Sequence, residues 1–139
     1  MNQATGTYIA LCEGDDYWTE PTKLQKQVLL LQQNLTASFC FHNTLIFNES
    51  MEVSGHLHPN NASLMHSVEE LLGSNFIHTS SIVYRKSILS ELPEWYYKAP
   101  MGDWPLCILL AEKGKFLYLN EVMSHYRLHG QSSWSSQDQ

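Results

Sequence analysis

Glu13, Asp15 and Asp16 stand within four residues of one another in "TYIALCEGDDYWTEP", directly after a short apolar run. Carboxylates at that spacing repel one another unless a cation sits between them. The stretch is therefore either a solvated turn or a site. A hard divalent cation takes oxygen ligands and leaves several positions to water or phosphate, so one or two carboxylates plus a diphosphate suffice for magnesium or manganese. The alternative of an EF-hand needs a longer acidic loop, which is absent.

The surrounding elements must position these groups. "TYIAL" after Gly6 is consistent with a strand buried on both faces, as in a parallel sheet, and Gly14 permits a tight turn at its end. Ligands in open α/β sheets gather at such carboxyl ends of strands. "TEPTKLQKQVLLLQQN" predicts a helix with Thr19 as N-cap, Pro21 in the first turn, Leu24, Val28 and Leu31 on the inner face, and Asn34 at its end. "ASFCFHN" alternates as a strand with Phe39 and Phe41 on one face. Residues 48–63 read as a polar loop or hairpin, and a short helix over about 64–72 is closed by Gly73. "FIHTSSIVYRK" predicts a strand with a central Thr-Ser-Ser. In "MGDWPLCILLAEKGKFLYL", Asp103 can cap a helix whose Leu106, Leu109 and Leu110 face inward; Gly114 ends it and "FLYL" is a strand. A further strand begins the tail, and 130–139 are expected to form a mobile polar segment.

At 139 residues and 43% hydrophobic content the chain is one domain's worth of globular polypeptide. Its net charge of -6, with no basic run longer than Arg85-Lys86, gives no nucleic-acid groove. A small anionic ligand would need a metal, backbone N–H groups or single basic residues. Cys12, Cys40 and Cys107 form no CxxC pair and read as buried thiols of a reducing compartment. No apolar run approaches the roughly 20 residues that span a bilayer.

"GTYIALCEGDDYWTEPTKLQKQV" resembles the central signature of bacterial family 2 glycosyltransferases of the GT-A fold, and the similarity continues in family order through "CFHN", "HTSSIVYRK", "GDWPL", "LLAEKGKFLYL" and "VMSHYRLHG". The resemblance implies an α/β chain equivalent to the C-terminal portion of a GT-A fold, an incomplete mixed sheet flanked by helices, occupying 1–139 as a single partial domain. It implies transfer of a sugar from a nucleotide-sugar donor to a hydroxyl of a glycan or lipid-linked acceptor, with inversion, in bacterial cell-surface polysaccharide synthesis. Glu13, Asp15 and Asp16 match the Asp-x-Asp region: Asp15 would face the donor's ribose or the metal, Asp16 would hold Mn2+ or Mg2+ against the donor diphosphate, and His129 would complete the metal shell or touch phosphate. Glu13 stands where an Asp is more frequent. Arg127 is a candidate phosphate partner, or a surface ion pair.

Asp103 matches the general base of inverting members, a role an ordinary aspartate can fill and one compatible with helix capping. Trp104 and Trp18 could offer platforms to a sugar ring or pack in the core. His78, Thr79, Ser80 and Ser81 lie on a strand that lines the active site in relatives, and His42 and Asn43 end another. Trp95, Tyr96 and Tyr97 fall where acceptor-binding elements tend to be. The family's upstream nucleotide-binding units have no counterpart, so the strand at 7–11 is expected to lack a neighbour, favouring self-association or docking of a missing N-terminal half. A noncatalytic remnant or interaction module is the alternative function. The expected location is cytoplasmic, at the inner face of the membrane.

Overall fold

The computed structural model describes residues 4–48, 56–59, 65–89 and 91–128. It is an α/β architecture built on one mixed sheet of seven strands. The central pair is β3 (Phe39–Asn48) and β7 (Phe116–Leu128), which run parallel from Cys40 opposite Leu117 to Asn48 opposite Leu128. Register slips around His42, Asn43 and Thr44 let β7 carry extra residues there. β7 therefore absorbs both "FLYL" and the strand expected in the tail.

On one side of β3 lies β6 (Val83–Arg85), antiparallel, followed by β1 (Tyr8–Ala10) at the edge, antiparallel to β6. The strand expected inside a parallel sheet is thus an edge strand, and only Ile9 of its three residues is buried. Among the described residues its outer edge has no partner strand. On the other side β7 pairs antiparallel with β2 (Tyr17–Trp18). β4 (His56–His58) folds back on β3 as a hairpin arm, and β5 (Met65–His66) pairs with β7.

Period-2 alternation gives the sheet two different faces. Phe39 and Phe41 point toward α2 (Val68–Gly73) and α3 (Asp103–Ala111), where Leu71, Leu106 and Leu110 complete the main core. Phe39 stacks on Phe116 with ring centroids 4.6 Å apart. The inward leucines of α3 are buried as expected. The chain leaves α3 so closely that a Cβ on Gly114 would lie 2.6 Å from the Thr36 carbonyl oxygen. Cys40 and Val83 face α1 (Lys23–Gln33) and its Leu31.

α1 corrects two expectations. It begins at Lys23 with Thr22 at the N-cap, later than Thr19, because Glu20 bonds both the backbone and the hydroxyl of Thr22 at 3.0 and 2.6 Å and holds the preceding turn. Its buried line is Lys23, Gln27 and Leu31, while Leu24 is 41% exposed. Gln27 donates to the Ser81 carbonyl at 2.8 Å and accepts from Lys23 Nζ at 2.8 Å. Asn34 closes the helix as expected, donating through its side chain to Leu30 at 2.9 Å. Thr79–Ser81 is a 3-10 turn, not part of a strand. Cys40 and Cys107 are buried thiols, but Cys12 is exposed because it sits where the edge strand gives way to the acidic turn. No helix of the described residues is long and apolar enough to cross a membrane.

Candidate active site

The acidic turn connects β1 to β2 and is fixed from several directions. β2 is tied to β7 by Tyr17 opposite His125 and Trp18 opposite Ser124. Trp18 Nε1 donates to the Ser80 carbonyl at 3.0 Å, and Arg127 Nε donates to the Asp15 carbonyl at 2.6 Å. The Cys12 thiol points at the Asp16 carbonyl at 3.6 Å. These contacts hold the backbone of the turn, and the carboxylates are left to face one another.

Asp16 is the innermost, 9% exposed, and neither of its carboxyl oxygens has a hydrogen-bond partner of ordinary geometry. Burial pushes its pKa up; the Ser80 hydroxyl and Arg127 lie near enough to pull it partly back, and Asp15 adds to the rise. Glu13 meets solvent along much of its side chain, yet partial desolvation, then the charges of Asp16, Asp103 and Asp15, push its carboxyl up as well. Thr79 Oγ1 donates to it at 3.5 Å.

Glu13 and Asp103 meet across a pocket of about 370 Å³, within the range of small-ligand sites, which starts at about 300 Å³. Trp104, Met101, Ile46 and Ile77 make its apolar wall, and His78 and Tyr126 its polar wall. Asp103 is not the N-cap of α3. Gly102 occupies that position and Asp103 is the first helical residue, with no side-chain capping bond, so its carboxyl remains part of the pocket. Tyr96 fixes this corner by donating its hydroxyl to the Gly102 carbonyl at 2.9 Å.

Tyr126 is the functional candidate that sequence reasoning missed. Its phenol is pushed up first by burial and then by the charges of Asp16, Glu13, Asp15 and Asp103, and its ring lines the pocket together with Glu13 and Asp103. Its ring packs on His78 at 4.9 Å between centroids. The available signal was its place on the strand between "MS" and "RLHG", one residue before Arg127.

The remaining expected residues divide. His78 and Trp104 share the pocket with Glu13 and Asp103; Trp104 is anchored by Nε1 donating to the Leu71 carbonyl at 2.9 Å. Trp18 is not in its wall, and the Lys23 ammonium covers its ring at 4.3 Å from the centroid. Ser80 is fully buried, bonded to Ser124 at 3.2 Å, so it offers nothing to a ligand in the pocket. His42 is buried with Nδ1 against its neighbour's carbonyl at 2.8 Å, and burial lowers it to about 3. His129 and the 130–139 tail lie outside the described residues. Among the described residues no three His, Cys, Asp or Glu side chains form a ready metal cage. The orphaned oxygens of Asp16 nevertheless suit a cation whose other ligands come from a bound phosphate and water.

No protein-family model matches the chain. It is similar to uncharacterized proteins of Mycobacterium bovis and of two strains of Mycobacterium tuberculosis, each 38% identical over 137 residues. Those alignments take in 98% of this chain and 39% of each relative, so the chain spans about two fifths of the length of the proteins it matches.

Proposed function

We propose that this chain carries the metal-binding and acceptor-binding part of a family 2, GT-A type glycosyltransferase, one that moves a sugar from a nucleotide donor to a hydroxyl acceptor with inversion. The observation that carries the proposal is a pocket with an aromatic wall that Glu13 of the acidic turn and Asp103 at the start of α3 line together, with the buried carboxylate of Asp16 three residues along the same turn. A sugar ring packs its apolar face on Trp104 and turns a hydroxyl to Asp103. The Asp103 carboxylate accepts the hydroxyl proton as the oxygen attacks the anomeric carbon of the donor; the bond from that carbon to the diphosphate oxygen breaks, and the nucleoside diphosphate leaves with the electron pair. Asp16, with Asp15, would hold Mn2+ or Mg2+, which supplies countercharge for the diphosphate. Arg127 keeps that turn in place through the Asp15 carbonyl.

The relatives are longer than the stretch this chain matches, which leaves length for a nucleotide-base pocket. Bacterial surface-polysaccharide synthesis at the cytoplasmic side of the membrane is the setting that fits such chemistry. The open outer edge of β1 favours a second possibility, a noncatalytic module that docks through that strand.

Calorimetric titration with manganese and uridine diphosphate, run on the chain and on Asp16→Asn, separates the two. Metal-dependent binding that disappears in Asp16→Asn is expected. In a transfer assay of the longer protein, Asp103→Asn should retain this binding and lose turnover. A folded chain that binds no nucleoside diphosphate with any divalent metal would overturn the transferase assignment for it.

A further inference from the structure

The geometry points to an acceptor that is uncharged or amine-bearing at the group seated in the pocket, with anionic sugars such as uronates and sugar phosphates excluded. This rests on the pocket being the acceptor site, as proposed above. Its wall carries two carboxylates, Glu13 and Asp103, and no lysine or arginine.

No lysine or arginine supplies the countercharge from elsewhere, since all eight are among the described residues, and the wall's own imidazole, His78, packs its ring on Tyr126. Lys23 and Arg85 are held at α1, the latter on the Ala37 and Leu31 carbonyls. Lys26, Lys86 and Lys98 bond Glu121, the Ala4 carbonyl and Glu94. Lys113 and Lys115 follow the C-terminal end of α3, while Asp103 is at its N-terminal end. Nine residues of helix separate those ends, a span of about 13 Å. Arg127, the basic residue nearest the acidic turn, directs Nε to the Asp15 carbonyl and is not part of the pocket wall.

A carboxylate or phosphate on the acceptor would therefore enter a partly desolvated cavity against two like charges. A hydroxyl-only ring meets no such penalty, and an ammonium gains from both carboxylates. Selection by repulsion of this kind needs no dedicated contact to the favoured ligand. Trp104, Met101, Ile46 and Ile77 provide the remaining attraction through the apolar face of the ring.

The test is ligand-observed NMR at pH 7 on the 139-residue chain, with magnesium and uridine diphosphate present. The probes are the methyl glycosides of glucose, glucosamine and glucuronic acid and their galacto counterparts, which differ mainly in charge. The neutral and amino glycosides should bind, with the uronides weaker by about tenfold or more at low salt. Glu13→Gln, a change at a solvent-facing side chain, should narrow that gap and weaken the amino glycosides selectively. Uronides that bind as well as the neutral rings would overturn the charge selection while leaving the sugar-transfer proposal standing. Saturation by none of the glycosides would remove the pocket as a sugar site, and the charge selection with it.

Discussion

Lys23 is a lysine in a core position. It is 1% exposed, its ammonium lies over the Trp18 ring, and its hydrogen bond goes to the neutral Gln27 amide oxygen. Desolvation lowers it from the ordinary 10.5 to about 8. The folded state therefore binds this proton less tightly than the unfolded chain, and the residue costs stability wherever the unfolded lysine is charged. Between those two values, relative stability rises with pH; below pH 8 the full cost is present. At pH 7 the difference amounts to about 3 kcal/mol, and at pH 10 to about 1 kcal/mol or less. Lys23→Met keeps the length and removes the charge, but leaves the Gln27 oxygen without its donor, a loss of about 1 to 2 kcal/mol at every pH. The substitution should stabilise the chain at pH 7 and become neutral or destabilising at pH 10. The difference between the two proteins should move by about 2.5 kcal/mol across that interval. Urea denaturation of both chains at pH 7, 8, 9 and 10 measures it, and taking the difference cancels the thiols and phenols that titrate in the same range. A difference that stays constant with pH would refute the burial argument, because it would mean that the ammonium is fully compensated in the fold.

Two further perturbations probe the frame around the site. Asp16→Asn should raise the melting temperature of the metal-free chain by removing a buried charge, and the gain should grow as pH rises above the ordinary aspartate value of 3.8, since a raised carboxyl pKa favours the folded state only while the group is protonated; an unchanged or lower melting temperature at pH 7 would contradict it. Arg85 donates to the Ala37 carbonyl at 2.6 Å and to Leu31 in the last turn of α1. Arg85→Ala should cost about 2 kcal/mol by stranding those carbonyls, with Arg85→Lys recovering only part, measured by chemical denaturation.

The elements that declared themselves in the sequence are those set by local pattern. Phe39 and Phe41 alternate into the core, the leucines of α3 face inward, and Gly114 ends that turn where a side chain would strike Thr36. What the sequence hid depends on partners far along the chain. The phase of α1 reads as leucine-facing, yet Gln27 turns inward because the Ser81 carbonyl, 54 positions away, needs a donor. The polar Asn120 and Glu121 look like a break between strands, but the register slips opposite His42 and Asn43 allow β7 to run through them. At the site, the acidic turn at a strand end was legible from composition and position. The place of Tyr126 in the pocket was not, since it arises only when β7 brings the phenol into one wall with Asp103 and with Glu13, 113 residues earlier.

The acidic turn is held in shape at a cost in stability. Its supports are the β2 to β7 pairing, the Trp18 bond to Ser80, the Cys12 contact with Asp16 and the Arg127 bond to Asp15. Each of the side-chain bonds ends on a backbone carbonyl, and none ends on a carboxyl oxygen of Asp16. The shape of the turn is thus specified without neutralising its innermost charge. A sequence serving stability alone would place an amide at position 16 and keep the same turn. A buried carboxylate without a hydrogen-bond partner is a local rule broken within the fold, and it costs stability. A ligand bringing positive charge would return stability by mass action, about 2.7 kcal/mol at a hundredfold excess over its dissociation constant. That is comparable to the cost of the buried lysine. The two buried charges nevertheless differ in kind: Lys23 is roofed by Trp18 and bonded to Gln27, whereas Asp16 is held in position with its oxygens unclaimed.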